Sequence, residues 1–200
     1  MPSHDGRSPP AIGFLTVVRH EPHGFFGGYL VLNPNGRPLE FHCTAPVKPN
    51  RAQEILYGPT LEPFLYGEQI GRTLVEKSTV GVRLICTDVA PALAMRDHVG
   101  PPVVLVLSPD GVTATSSATG EIEHLATAAT PALRVDAAHA HGPIPIESSR
   151  GRNGLAVAAG HADDRRAVAE VLEALAGHFD LAEPFTRIRE AIDEAQRGAK

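Results

Sequence analysis

The chain contains no tryptophan, few other aromatic residues and only two cysteines. With aromatic residues at 5%, stacking platforms for single-stranded nucleic acid would have to come from a few Tyr and Phe side chains. The cysteines, Cys43 and Cys86, lie in separate apolar runs, where a free thiol behaves as a small buried hydrophobe. We therefore expect both thiols in the core of a protein from a reducing compartment.

Long apolar stretches and runs of like charge are also missing. No segment is long enough for a membrane span, and the polar, Pro-containing residues 1–10 lack the apolar centre of a secretory signal. The 18 Lys and Arg are scattered through a chain of net charge -5. These features predict a soluble cytoplasmic protein with no membrane contact, and nucleic acid is not indicated as a partner.

Several sequence motifs of familiar enzymes are absent. There is no P-loop, no G-x-G-x-x-G after a strand, no H-E-x-x-H, no C-x-x-C pair and no G-x-S-x-G elbow. The nucleotide-binding, zinc-protease and serine-hydrolase classes that use those motifs are therefore disfavoured.

What is present predicts an α/β domain. The 200 residues, 42% of them apolar, suffice for one sizeable core, so we expect a disordered lead-in over 1–10 and a single domain over 11–200. Apolar runs predict strands at 12–18, 26–32, 39–44, 82–87 and 103–107, followed by short strands at 112–115 and 122–125, irregular structure or edge strands over 127–152, and a last strand at 155–159.

Helices are expected between and after these strands. One begins near Asn50 and breaks at Gly58-Pro59, and the next carries a packing stripe of Gly67, Ile70, Gly71 and Leu74. A short helix over 91–98 and two C-terminal helices complete the pattern. The order β-β-β-α-β-α-β, with extra strands and two helices behind it, predicts a mixed sheet flanked by helices.

That order is similar to the ribonuclease H-like architecture, as an analogy of topology, and other mixed folds share it. The analogy implies a metal-binding acid at the end of the fourth strand, where Asp88 stands, and an essential acid within the first strand. Residues 12–18 contain no carboxylate, which argues against a nuclease. Asp88 is a catalytic candidate because ligands bind at carboxyl ends of strands, and the alternative is an N-cap.

Ten histidines give the chain several candidate metal ligands. His20 and His23 in one loop, with His139 and His141 on one face of a strand, could together supply four imidazoles to a divalent metal. The alternative is that all four are ordinary surface histidines.

A second catalytic candidate is the pair Glu40 and His42, two residues apart on the polar face of the third strand, opposite Leu39, Phe41 and Cys43. A carboxylate beside an imidazole is a general acid and base pair when burial tunes the two pKa values. The alternative is a solvated strand face with one favourable pair.

Four further residues are candidates for binding. Lys48 and Arg51 flank a helix start, where a phosphate could dock, unless Glu54 is simply the salt-bridge partner of Arg51. Tyr57 and Tyr66 flank the helix break and could form an interface patch.

Two hypotheses follow. The first is a non-catalytic interaction or regulatory module, an accessory subunit that presents residues 51–66 to a protein partner. The second is a divalent-metal-dependent hydrolase of a phosphate ester, in which a metal-bound water is the nucleophile. The pattern leaves the oligomeric state open.

Overall fold

A single seven-stranded sheet organises the computed structural model, which describes residues 11–107, 144–146, 154–173, 175 and 179–198. Its strand order is β3-β2-β1-β4-β5-β7-β6. The strands are β1 (Ala11–His20), β2 (Gly24–Leu32), β3 (Pro38–Cys43), β4 (Val82–Thr87), β5 (Val103–Leu107), β6 (Ile144–Ile146) and β7 (Gly154–Val157).

The sheet is mixed because its two halves are connected differently. β1, β2 and β3 pair antiparallel through short connections, and Gly36 takes a φ of +77° in the turn between β2 and β3. β4 then crosses back to pair parallel with β1, and β5 pairs parallel with β4. β7 and β6 extend this side with antiparallel pairs. The strands that follow β3 are therefore added on the other side of β1, away from β2 and β3.

Helices cover both faces of this sheet. α1 (Arg51–Tyr57) is followed by a 3-10 turn at Gly58–Thr60 and then by a continuous helix that passes through α2 (Leu61–Pro63), a π-helical stretch at Phe64–Arg72 and α3 (Thr73–Lys77). A 3-10 helix at Ala90–Asp97 follows β4, and another occupies Ala159–His161. α4 (Asp164–Glu173) and α5 (Glu183–Gly198) end the described chain.

The apolar core lies in two layers, one on each face. On one face the π-helical stretch and the 3-10 helix at Ala90–Asp97 pack on the sheet through residues such as Ile70 and Met95. On the other face Phe185, Ile188 and Ile192 of α5 pack on the sheet together with α4. Gly28 permits this approach, since a Cβ there would lie 2.3 Å from Ile188 Cγ2.

The predicted class, a mixed sheet flanked by helices, is confirmed. The helix break at Gly58-Pro59 and the buried stripe of Gly67, Ile70, Gly71 and Leu74 are also confirmed. Residues 1–10 and the predicted strands at 112–115 and 122–125 lie outside the described residues. No helix of the described part is long and apolar enough to cross a membrane.

One burial prediction was wrong. Cys86 is buried as expected, but Cys43 is exposed. The reason is the position of β3 at the end of the sheet, where α5 reaches across β1 and β2 and leaves the Cys43 face of β3 uncovered.

Candidate functional site

The carboxyl ends of the parallel strands β1 and β4 lie side by side at the point where the strand order reverses, with β2 and β3 on one side of β1 and β4 and β5 on the other. In open α/β sheets this is the place where ligands bind. Asp88 directly follows β4, one residue beyond the Leu15–Thr87 pair, and therefore stands at this edge as predicted. Its side chain is 16% exposed.

The Asp88 carboxylate is bound by a cation from α5. The Arg189 Nη2 donates to Asp88 Oδ2 and, at 3.4 Å, to the Oγ1 of buried Thr16 in the centre of β1. The other oxygen, Asp88 Oδ1, is buried without a hydrogen-bond partner in the described part of the chain. Asp88 is not the N-cap of the next helix, because Val89 holds that position. The Arg189 guanidinium thus links the Asp88 carboxylate after β4 to the Thr16 hydroxyl in β1.

Glu40 and His42 point to the same face of β3, as predicted, but that face is turned toward the loop after α3. Ser78 Oγ donates to Glu40 Oε2 at 2.5 Å, Thr79 N donates to both carboxylate oxygens at 3.1 Å, and Val80 N donates to Oε2 at 3.3 Å. The His42 Nε2 lies 2.9 Å from Glu40 Oε1. Glu40 therefore ties β3 to the segment that leads into β4.

These contacts change the acidity of Glu40. The hydrogen bond from Ser78 is the largest cause and lowers its pKa, burial is the next largest and raises it, and the His42 ring and the Thr79 and Val80 amides lower it, so that the pKa falls from 4.5 to about 2. A carboxylate of so low a pKa is a poor general base near neutral pH. The arrangement suits Glu40 to holding a loop rather than moving a proton.

The structure does not bring the three catalytic candidates together. Glu40 and His42 lie on the face of Tyr29 and Val31, their register partners in β2, which belongs to the core layer of the π-helical stretch. Asp88 contacts α5 on the opposite face. The sheet separates the two groups.

The histidine candidates are only partly described. His20 Nε2 lies 3.3 Å from Asp193 Oδ1 in α5, and its ring meets the Phe26 ring edge-on at 5.6 Å. His23 is exposed in the loop between β1 and β2. His139 and His141 lie outside the described residues. Within the described ranges, no three His, Cys, Asp or Glu side chains are arranged to hold a metal ion.

The two cation candidates have different partners. Lys48 Nζ donates to the Pro22 carbonyl at 3.4 Å, and Arg51 Nη1 donates to Glu54 Oε2 at 3.1 Å. The start of α1 is closed by its own residues, because the Asn50 side chain accepts from Gln53 N while the Gln53 side chain accepts from Asn50 N. Of the two expectations for Arg51, phosphate binding or an ion pair with Glu54, the structure contains the ion pair.

The tyrosine candidates differ in exposure. The Tyr57 ring stacks on Phe64 with centroids 4.3 Å apart and is partly exposed. Tyr66 is 7% exposed, lies 5.4 Å from the Phe25 ring and has its pKa raised to about 12, mainly by burial. Tyr57 is therefore available at the surface, whereas Tyr66 belongs to the core.

The sequence reasoning missed the most exposed apolar side chains of this region. Ile55 is 65% exposed and Leu56 is 82% exposed, and α1 buries none of its residues. The sequence contains a signal for this exposure. The positions three and four residues before Ile55 and Leu56 hold only Arg51, Ala52 and Gln53, so neither side chain has a large apolar neighbour on its face of the helix. We call Ile55, Leu56 and Tyr57 the α1 patch.

The comparisons with known proteins give little further information. No family model matches the chain, and no curated protein matches it. Among solved structures, the crystal structure of human ENDOV is similar over 96% of this chain and 86% of that one, with 14% sequence identity and a TM-score of 0.40. A likeness at that TM-score bears on neither the fold nor the function of this chain.

Proposed function

We propose that this chain is a non-catalytic interaction or regulatory module, an accessory subunit of an intracellular complex that binds a protein partner through the α1 patch. The observation that carries the proposal is the exposure of Ile55 and Leu56 on a helix that packs none of its residues into the core. Single exposed apolar residues are ordinary, but two large adjacent ones beside an aromatic ring form a contact surface.

The expected partner offers an apolar groove. Covering one leucine or isoleucine side chain contributes about 1.5–3 kcal/mol, so the two exposed side chains are the apolar anchors that such a groove would cover. The Arg51–Glu54 ion pair lies on the same helix and remains in water, as the polar rim of such an interface does. Tyr57 is held by its stack on Phe64 and therefore loses little side-chain freedom on binding.

The state of the catalytic candidates supports the same proposal. Asp88 is paired with Arg189, and Glu40 is saturated by hydrogen bonds from the loop after α3. Both carboxylates thus have structural partners. They also lie on opposite faces of the sheet, so one substrate could not reach both.

The test is affinity purification of the full chain from its native cells, with chemical cross-linking and mass spectrometry of the bound proteins. Ile55→Ser with Leu56→Ser should abolish capture of a partner that cross-links to α1 in the wild type. Leu39→Ser, a matched apolar residue exposed elsewhere, should retain it. A set of partners unchanged by the double substitution would overturn the proposal.

The hydrolase hypothesis predicts a bound metal and is tested by measuring the metal content of the purified protein. A divalent-metal-dependent enzyme purified without a tag or chelator should carry near-stoichiometric metal, and His20→Ala with His139→Ala should remove it. Hydrolysis of generic phosphate esters by the metal-loaded wild type, lost in that variant, would replace the interaction proposal with the enzyme.

A further inference from the structure

The turn between β2 and β3 carries an exposed asparagine directly before a glycine. Asn35 is exposed in this turn, and Gly36 follows it with a φ of +77°. Asn35 N donates to Asn33 Oδ1 at 3.0 Å, but the Asn35 side-chain amide has no hydrogen-bond partner in the described part of the chain. The carboxamide of Asn35 therefore lies in water, next to the backbone amide that follows it.

The residue after an asparagine decides whether its side chain is chemically stable. Asparagine is thermolabile because the backbone nitrogen of the next residue can attack the side-chain carbonyl carbon. That attack requires an N–H and open space around it. Gly36 provides both, since it has no side chain, whereas Pro34, which follows Asn33, has no N–H. One turn thus holds an asparagine with a competent neighbour and another without one.

We propose that Asn35 is a deamidation site. The Gly36 nitrogen bonds to Asn35 Cγ, the Cγ–Nδ2 bond breaks, and Nδ2 leaves as ammonia with the proton from the Gly36 nitrogen. Water then opens the cyclic imide and returns a proton to that nitrogen. Addition of water at Cγ gives aspartate, and addition at the main-chain carbonyl carbon gives isoaspartate. The net reaction consumes water and releases ammonia, so it requires no enzyme, oxidant or cofactor.

The Asn33 side chain controls this reaction by holding the turn closed. Gly36 N donates to Asn33 O at 2.9 Å, so the attacking nitrogen is engaged while the turn is closed. Asn33 Oδ1 also accepts from Asn35 N and from Arg37 N, each at 3.0 Å, and so fixes the backbone on both sides of Gly36. Exposed bonds of this kind open locally without global unfolding. We therefore expect deamidation in the folded protein, at a lower rate than in the unfolded chain.

The modification would alter a contact between this turn and α5. Arg187 Nη1 donates to the Gly36 carbonyl at 3.3 Å, and a Cβ at Gly36 would lie 3.4 Å from Cε2 of the Phe179 ring. Isoaspartate adds a methylene to the main chain directly before Gly36 and leaves a carboxylate in the turn. The site lies outside the α1 patch, so its modification does not depend on partner binding there.

Ageing of the full chain in warm, mildly alkaline buffer, followed by cleavage after glutamate and mass spectrometry, tests the site. The fragment that ends at Glu40 contains Asn33 and Asn35 but excludes Asn153-Gly154, the other Asn-Gly pair of the sequence. We expect two new forms of the wild-type fragment, aspartate and isoaspartate, both modified at position 35. Asn35→Gln should give neither, because the longer side chain closes its ring far more slowly. Folded wild type that stays unmodified at Asn35 after the guanidinium-unfolded chain has converted, or that is modified at Asn33 instead, overturns the proposal.

Asn33→Ala tests the control by the turn. The change removes the Oδ1 acceptor and leaves Asn35 and Gly36 in place, so we expect the rate at Asn35 to rise at least about twofold toward that of the unfolded chain. Thr73→Ala, which removes an exposed side-chain bond to the backbone elsewhere, should leave the rate unchanged. Circular dichroism checks that Asn33→Ala is folded. A folded Asn33→Ala protein that deamidates at the wild-type rate overturns the role of Asn33.

Discussion

Replacing Glu40 with glutamine tests whether this carboxylate is an anchor or a catalytic base. Glu40→Gln keeps the shape of the side chain but removes its charge and one acceptor oxygen. The donors that lose a charged acceptor are the Ser78 and Thr79 hydroxyls and the Thr79 and Val80 amides. A hydrogen bond to a charged group contributes roughly 1.5–3 kcal/mol when it is buried, and these donors are partly solvated, so we expect a loss of about 2 kcal/mol in all.

The pH dependence of the effect follows from the direction of the shift. The pKa of Glu40 is about 2 in the folded chain and 4.5 without its partners. A lowered folded pKa means that the stabilisation is complete above pH 4.5 and is lost as the pH falls toward 2. The difference in unfolding free energy between wild type and Glu40→Gln should therefore be constant near neutral pH and shrink across that acidic window.

Urea unfolding followed by circular dichroism, repeated from neutral to acidic pH, measures the difference, and about 2 kcal/mol corresponds to a fall in Tm of about 4–8 °C for a chain of this size. Glu54→Gln is the control, because its ion pair with Arg51 is exposed and should contribute little. A Glu40→Gln protein as stable as the wild type at neutral pH, or a difference that grows on acidification, would refute the anchoring role.

Three further predictions concern the other contacts described above. Asp88→Asn and Arg189→Met should each destabilise by about 1–2 kcal/mol but by less than their sum when combined, whereas strictly additive losses would show that the pair is not coupled. Gly28→Ala should cost about 1–3 kcal/mol in urea unfolding, because the added methyl meets α5, and unaltered stability would show that α5 can move away. Cys43 should react with a thiol reagent in the native protein and Cys86 only after unfolding, since burial also raises the pKa of Cys86; equal native rates would contradict this assignment.

The elements of the sheet could be predicted from sequence because their signals are local. The turn that contains Gly36, the β-branched run of β1 and the break after Tyr57 each depend on a few neighbouring residues. The buried stripe of the helix after that break followed from its spacing alone. The strand order gave the α/β class and the place of Asp88 at the edge of the sheet.

The partners of these residues could not be predicted, because they come from distant parts of the chain. Arg189 reaches Asp88 across 101 positions, and Ser78 reaches Glu40 across 38. The exposure of Cys43 depends on how far α5 extends over the sheet, which no pattern within β3 reveals. Sequence therefore located the candidate residues, and only the fold showed which of them were already engaged.

The persistence of α1 is itself an argument for a binding role. A helix of seven residues is marginal in water, because nucleation is costly and few hydrogen bonds form. Here the capping box of Asn50 and Gln53 and the stack of Tyr57 on Phe64 hold both ends, so the helix forms without burying Ile55 or Leu56. Because α1 is already ordered by its ends, a partner that covers Ile55 and Leu56 need not supply the cost of ordering this helix, and each covered side chain contributes about 1.5–3 kcal/mol against the remaining cost of association.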